Sequence, residues 1–162
     1  MSKKITIKTE KVLEVFNILN QAKYVKLDDA DKVKLWKVTR KLKPIAVQFE
    51  DDTKDACEKF KEGFENLDER LQNAQEFEAA QRNPDADVSG LKMGAAEHEE
   101  FIKGDWNEYN KLVGKAVKEF AEKEVEVEFE EISEDAFAKL MASNNWTFGQ
   151  VCALEEIILS NN

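Results

Sequence analysis

The sequence predicts an α+β fold, mostly α-helical: a long antiparallel helical hairpin whose two ends are joined by a two-stranded antiparallel ribbon. Three observations predict it. Lys4-Ile5-Thr6-Ile7-Lys8 alternates polar with apolar, as a strand with one buried face does. Glu124-Val125-Glu126-Val127-Glu128-Phe129-Glu130 alternates in the same way, with carboxylates on its outer face where the first segment carries lysines. Opposite charges on neighbouring strands favour pairing, so residues 4–8 are expected to run antiparallel to residues 124–130, with Ile5, Ile7, Val125, Val127 and Phe129 facing the helices. Between these segments, apolar residues recur at spacings of three and four from Leu35 to Phe77, which is the stripe of a bundle helix.

Each element follows from local chemistry. After the first strand, Thr9 is the expected N-cap of a helix with Val12, Val15, Phe16, Ile18 and Leu19 inward, and residues 1–27 form one strand-and-helix segment. Residues 28–82 form the long helical segment, opened by Asp28-Asp29 and carrying Leu35, Val38, Leu42, Ile45, Phe49, Ala56, Phe60, Phe64, Leu67, Leu71, Ala74 and Phe77. Pro44 and the polar run 50–55 are its two expected points of interruption. Unbroken, it would be a rod of about 80 Å, which needs a partner helix from this chain or from a second copy. Residues 83–92 read as a loop, and residues 93–122 as the returning helix, with Gly104 as a point where it splits. In residues 123–162 the acidic strand is followed by two short helices, capped by Ser133 and Thr147 and separated by Asn144-Asn145. The whole of 1–162 is expected to be a single domain.

Composition narrows the function classes. Net charge is −10, and the sequence reads as having no basic patch, so direct nucleic-acid binding is not expected. The two cysteines, Cys57 and Cys152, are far apart and are expected to be small buried residues rather than a disulfide or zinc framework. No apolar run reaches the length of a membrane span and no signal-peptide pattern opens the chain, so a cytoplasmic protein without membrane contact is expected.

Several constellations are candidates for chemistry. Asp85, Asp87 and Ser89, followed by Gly90, match the first half of a calcium loop, but its twelfth position, normally a bidentate glutamate, is Ala96. His98 is the single histidine and lacks the second histidine of a zinc-protease helix, so it is expected to be a solvated surface residue. Glu65/Asp68 and Glu97/Glu100 are carboxylate pairs of the kind that hold magnesium in all-helical phosphohydrolases, a pairing that this acidic composition also produces by chance. No phosphate-binding or nucleophile-elbow motif is present, which disfavours an enzyme. The run 122–135 sets eight acidic side chains against Lys123 alone. In it Glu124, Glu126, Glu128 and Glu130 are candidate contacts for a basic partner, although Lys4 and Lys8 account for much of that charge within the chain. Of the three tryptophans, Trp36, Trp106 and Trp146, the last is expected to be the exposed one.

The order of elements, from Ile5-Thr6-Ile7 and Val12-Leu13, through Leu35-Trp36-Lys37-Val38-Thr39-Arg40-Lys41-Leu42 to Phe60, then Val125-Glu126-Val127-Glu128-Phe129 and a closing Ile132-Ser133 to Leu154 and Ile157, resembles an uncharacterised family of small proteins from phages and prophages. The resemblance implies a bacterial host cytosol and no catalytic residues. With it, the expected function is a non-catalytic accessory protein acting through protein–protein contacts, as an assembly factor or an antagonist of a host factor, with a homodimer suggested by the long stripe. No cofactor is expected: the 85–90 segment reads first as a plain helix-connecting loop, with calcium at Asp85, Asp87 and Ser89 as the alternative. Two other classes stand beside this one: an acidic DNA mimic that inhibits a basic nucleic-acid-binding protein, and a metal-dependent all-helical phosphohydrolase.

Overall fold

A computed structural model describes residues 2–159. The elements run β1 (Ser2–Lys8), α1 (Thr9–Gln21), α2 (Asp29–Lys61), α3 (Leu67–Arg82), α4 (Ala95–Lys103), α5 (Asp105–Glu122), β2 (Glu124–Glu130), α6 (Glu134–Ser143) and α7 (Phe148–Ile158). The fold is α+β and mostly helical, as the sequence predicts. The described chain forms two compact units. One gathers the residues up to Asp52 and from Glu119 onward; the other is Thr53–Lys118.

In the first unit, β1 and β2 pair antiparallel over their whole length, with Ser2 opposite Glu130, Lys4 opposite Glu128, Ile5 opposite Val127 and Lys8 opposite Glu124. That register puts Ile5, Ile7, Val125, Val127 and Phe129 on one face, and all five pack on the core, Val127 and Phe129 fully buried. Their neighbours there include Val12, Val15 and Leu19 of α1, Leu35, Val38 and Leu42 of α2, and Leu140, Leu154, Ile157 and Ile158 of the last two helices. Burying such aliphatic side chains contributes roughly 1.5–3 kcal/mol each. Two devices close this unit. The Ile132 amide donates to the Ile158 carbonyl at 2.9 Å. The Asn144 side chain accepts from the Lys23 amide at 2.8 Å and donates to the Lys23 and Leu140 carbonyls at 2.9 Å, tying the end of α1 to the end of α6.

Ser133 and Thr147 cap α6 and α7 as expected, the latter in a reciprocal capping box with Gln150. Thr9 does not cap α1. It is buried, and both its hydroxyl and its amide donate to the Lys123 carbonyl at 2.8 Å, so it fastens the start of α1 to the start of β2. The helix begins directly from the strand at Lys8, with no side-chain cap.

The long segment 28–82 is two helices. Pro44 lies inside α2 without ending it. It is exposed, so the helix bond it removes is lost on the solvent side, where the Arg40 carbonyl can be hydrated. The polar run 50–55 is helical as well. The break falls instead at residues 62–66, around Gly63 and Asn66, the latter in the left-handed region at φ 50°. The return segment splits at Gly104, as its sequence suggests. A Cβ there would come within 2.7 Å of the Glu100 carbonyl oxygen, so only glycine fits between α4 and α5.

The second unit has its own smaller core of Leu67, Ala74, Met93, Phe101 and Tyr109, flanked by half-buried Phe60, Phe64, Leu71, Ile102, Trp106 and Val113. Its aromatic rings are in mutual contact: Trp106 stacks on Tyr109 at 5.5 Å and on Phe101 at 6.0 Å, and Phe64 meets Tyr109 edge-on at 6.1 Å.

Candidate interaction surface

The acidic outer face of β2 is largely answered within the chain. Lys4 Nζ meets Glu126 at 2.7 Å, the Ser2 hydroxyl donates to Glu128 at 2.9 Å, and Lys37 and Lys3 approach Glu130 and Glu131 at 3.8 Å. The Glu126 carboxylate, by hydrogen bond and by charge, raises the Lys4 pKa. Lys41 donates to the Glu128 carbonyl at 2.7 Å. Glu124 stands opposite Lys8 in the ladder. The strand face is thus a mixed surface in which cations are interleaved with the glutamates, whereas a DNA mimic needs continuous negative charge.

The other candidate residues are dispersed. In the 83–90 loop, Asp87 Oδ1 accepts from both the amide and the hydroxyl of Ser89, at 2.9 and 2.6 Å, and these bonds hold its pKa below the usual carboxylate value. The Asp85 amide donates to Asn83 Oδ1, and Gly90 does not take the positive φ used for a sharp turn. Asp68 pairs with Lys61 at 3.2 Å; Glu65 borders one shallow cleft, and Glu97 and Glu100 another. Among the described residues, no three His, Cys, Asp or Glu side chains form a group able to hold a metal ion. His98 is not a solvated residue: it is half-buried, 2.9 Å from Glu78, with its ring tilted at 35° to that of Phe77 at 4.8 Å. Cys57 and Cys152 are half-buried rather than buried, and both are free thiols.

A different surface emerges on α2. Leu35, Val38 and Leu42 point into the core. On the opposite face, residues 33, 36, 40, 43 and 47 share one side at helical spacing, and all five are exposed. Trp36 is 57 % exposed, which reverses the expectation for the tryptophans, since Trp146 packs on the core. The Arg40 guanidinium lies over the Trp36 ring at 5.3 Å; exposed Val33 stands one turn before Trp36 on the same face, and exposed Val47 about three turns after it, beyond Arg40 and Lys43. Beside Trp36 opens a cleft of about 360 Å³, lined by Leu19, Asn20, Tyr24, Lys32, Trp36 and Thr39. The Tyr24 hydroxyl donates to the Leu19 carbonyl, and burial raises its pKa.

The stretch of α2 that carries this face is also electrically distinct, with Arg40 and Lys43 on the face itself and Lys37 and Lys41 turned toward β2. From Lys32 to Lys43 the helix carries six cations (Lys32, Lys34, Lys37, Arg40, Lys41 and Lys43) and no acid, in a chain of net charge −10. About two turns later comes Glu50-Asp51-Asp52. Composition hides this run because the excess of acids elsewhere outweighs it; a charge count along a helical wheel would have found it. Trp, Tyr and Arg together on an exposed face are the residue types that anchor protein interfaces.

No protein-family model, curated protein or solved structure matches this chain. Among the described residues, no helix is long and apolar enough to cross a membrane.

Proposed function

We propose that this chain is a non-catalytic accessory protein of the phage type that works by protein–protein contact, through the outer face of α2. The observation that carries this reading is the exposed Trp36 with Arg40 stacked on its ring, beside an apolar cleft. A large indole in water gains from being covered, and a guanidinium already held over it loses little side-chain freedom on binding. The dispersed carboxylates of residues 65–100 and the internally answered strand glutamates make the other surfaces less suited to such a role.

The test is a photo-crosslinking amino acid at Val33, on the same face, in bacterial cells that express the chain. A discrete protein adduct is expected, and it should disappear when Trp36→Ala is added. Absence of any protein adduct, or adducts indifferent to Trp36→Ala, would remove this face as the working surface.

A further inference from the structure

A cleft of about 450 Å³ opens in the first unit between α2 and the start of β2. Its walls are apolar: Pro44, Ile45 and Phe49 from α2, Phe120 from the end of α5, and Val125 from β2. The size falls in the roughly 300–1,000 Å³ range of small-molecule sites, which are mostly apolar with a few placed polar groups. Here those groups are Gln48, Asp52 and Lys123. Asp52 is half-buried, and its carboxylate accepts from the Gln48 side-chain amide at 2.8 Å. That partner is neutral. Among the described residues, no cation pairs with the Asp52 carboxylate and no acid with the Lys123 ammonium. One anion and one cation thus border the same apolar cleft without neutralising each other. We propose that this cleft binds a zwitterion with an apolar body, namely a free α-amino acid with a large apolar side chain.

Each group of the ligand has a counterpart. Its ammonium donates to Asp52 and to the Gln48 side-chain carbonyl, which the amide's bond to Asp52 leaves free. Its carboxylate accepts from Lys123. Its side chain lies among Ile45, Phe49 and Phe120. Two of these counterparts are held in place before any ligand arrives. Gln48 orients the Asp52 carboxylate, and the Thr9 amide and hydroxyl, both donating to the Lys123 carbonyl at 2.8 Å, fix the backbone that carries Lys123. A half-buried carboxylate is screened less by water than an exposed one, so a cation gains more beside it. A simple amine would satisfy Asp52 but set a second positive charge near Lys123, and a simple acid would set a second negative charge near Asp52. A ligand with both charges avoids either conflict. The site is separate from the outer face of α2, because Ile45, Gln48, Phe49 and Asp52 lie on a different side of that helix from Val33, Trp36, Arg40 and Val47.

Equilibrium dialysis of the full chain against radiolabelled phenylalanine and leucine tests this, with unlabelled analogues as competitors. At least one of the two should saturate a single site. Three competitors each lack one part of the phenylalanine molecule: glycine the apolar body, phenylpropionate the ammonium, and phenethylamine the carboxylate. Each should compete about tenfold or more less well than phenylalanine itself. Asp52→Asn and Lys123→Gln should each weaken amino-acid binding by about tenfold or more, with circular dichroism checking that both variants stay folded. The decisive arm crosses variants with analogues. Asp52→Asn should stop discriminating against phenylpropionate, and Lys123→Gln against phenethylamine. No saturable binding of either amino acid up to about 10 mM overturns the proposal. So does an acid or amine that competes as well as the amino acid, or binding indifferent to both substitutions. The competitor series uses the wild-type chain, so it decides the matter even where a substitution disturbs the fold.

Discussion

In the first unit, the core is assembled from segments far apart in the chain: β1 against β2, α1 against α7, with Thr9 bonded to Lys123 and Asn144 bonded to Lys23. The second unit is continuous in sequence, 53–118, and its few buried residues are ringed by half-buried aromatics and an arginine. One region is mainly aliphatic, fully buried at its centre and closed by long-range hydrogen bonds. The other leans on ring stacking at its edge. The difference teaches where substitutions should be costly. A well-packed aliphatic core cannot relax around a missing side chain, whereas a partly exposed aromatic cluster lets neighbours and water adjust.

The sharpest test is Phe129→Ala. Phe129 is fully buried on the inner face of β2, at the meeting of the ribbon with the helical core. Its loss should destabilise the first unit by about 3–5 kcal/mol. Urea unfolding followed by the fluorescence of Trp146, which packs on this core, reads the effect. A change under about 1 kcal/mol would mean that the ribbon is not the closure it is taken to be.

The ribbon was the most legible part of the sequence, because two independent signals coincide in it. A period of two fixes which side chains face inward, and opposite charge on the outward positions selects the partner strand. The helix caps at Ser133 and Thr147 were legible for a similar reason, since an oxygen-bearing side chain at a helix start has a specific bond to make. The break at 62–66 was not. Phe60, Phe64 and Leu67 keep a spacing of three and four straight through it, so the apolar pattern reads as one helix. The only local signals are Gly63 and Asn66, and neither residue ends a helix unless tertiary packing rewards the turn. Pro44 misled in the opposite direction, because a proline on the solvent side of a long helix anchored in the core by Leu35, Val38 and Leu42 costs too little to end it. The α2 surface was missed because composition averages charge over the chain, while a binding face depends on where the charge lies.

A smaller effect is expected from Arg70→Met in the second unit. Arg70 lies over the Phe101 ring at 5.2 Å and bonds Asp105 at 2.8 Å, while its Nε is buried without a partner. Both side chains of the ion pair are partly solvated, so that pair contributes little, and the stacked guanidinium adds about 0.5–1 kcal/mol. Methionine keeps the apolar stem over Phe101 and removes the unsatisfied Nε. Net destabilisation below about 1 kcal/mol is expected, read by the fluorescence of Trp106 in the same cluster. A loss comparable to that of Phe129→Ala would erase the contrast between the two units.

The smallest effect distinguishes the units by how one substitution changes their response to pH. Tyr109 is buried in the second unit, and its hydroxyl donates to the Cys57 carbonyl at 3.3 Å. Burial first, and the neighbouring Cys57 second, raise its pKa above the ordinary 10.0. In the unfolded chain the phenol ionises at its ordinary value, whereas the folded unit holds the proton to higher pH. A pKa raised on folding contributes stability that is fully present below pH 10 and is lost as pH climbs through the folded-state value. Urea midpoints of the second unit, followed by Trp106 fluorescence, should therefore fall as pH rises above 10, and Tyr109→Phe should flatten that fall. In the first unit burial raises the pKa of Tyr24 in the same way, so that unit also loses stability above pH 10, but Tyr24 is untouched by a substitution at Tyr109. The flattening by Tyr109→Phe should accordingly appear in the Trp106 signal and be absent from that of Trp146. An equal change in both signals would mean that the two aromatic reporters do not follow separate cores.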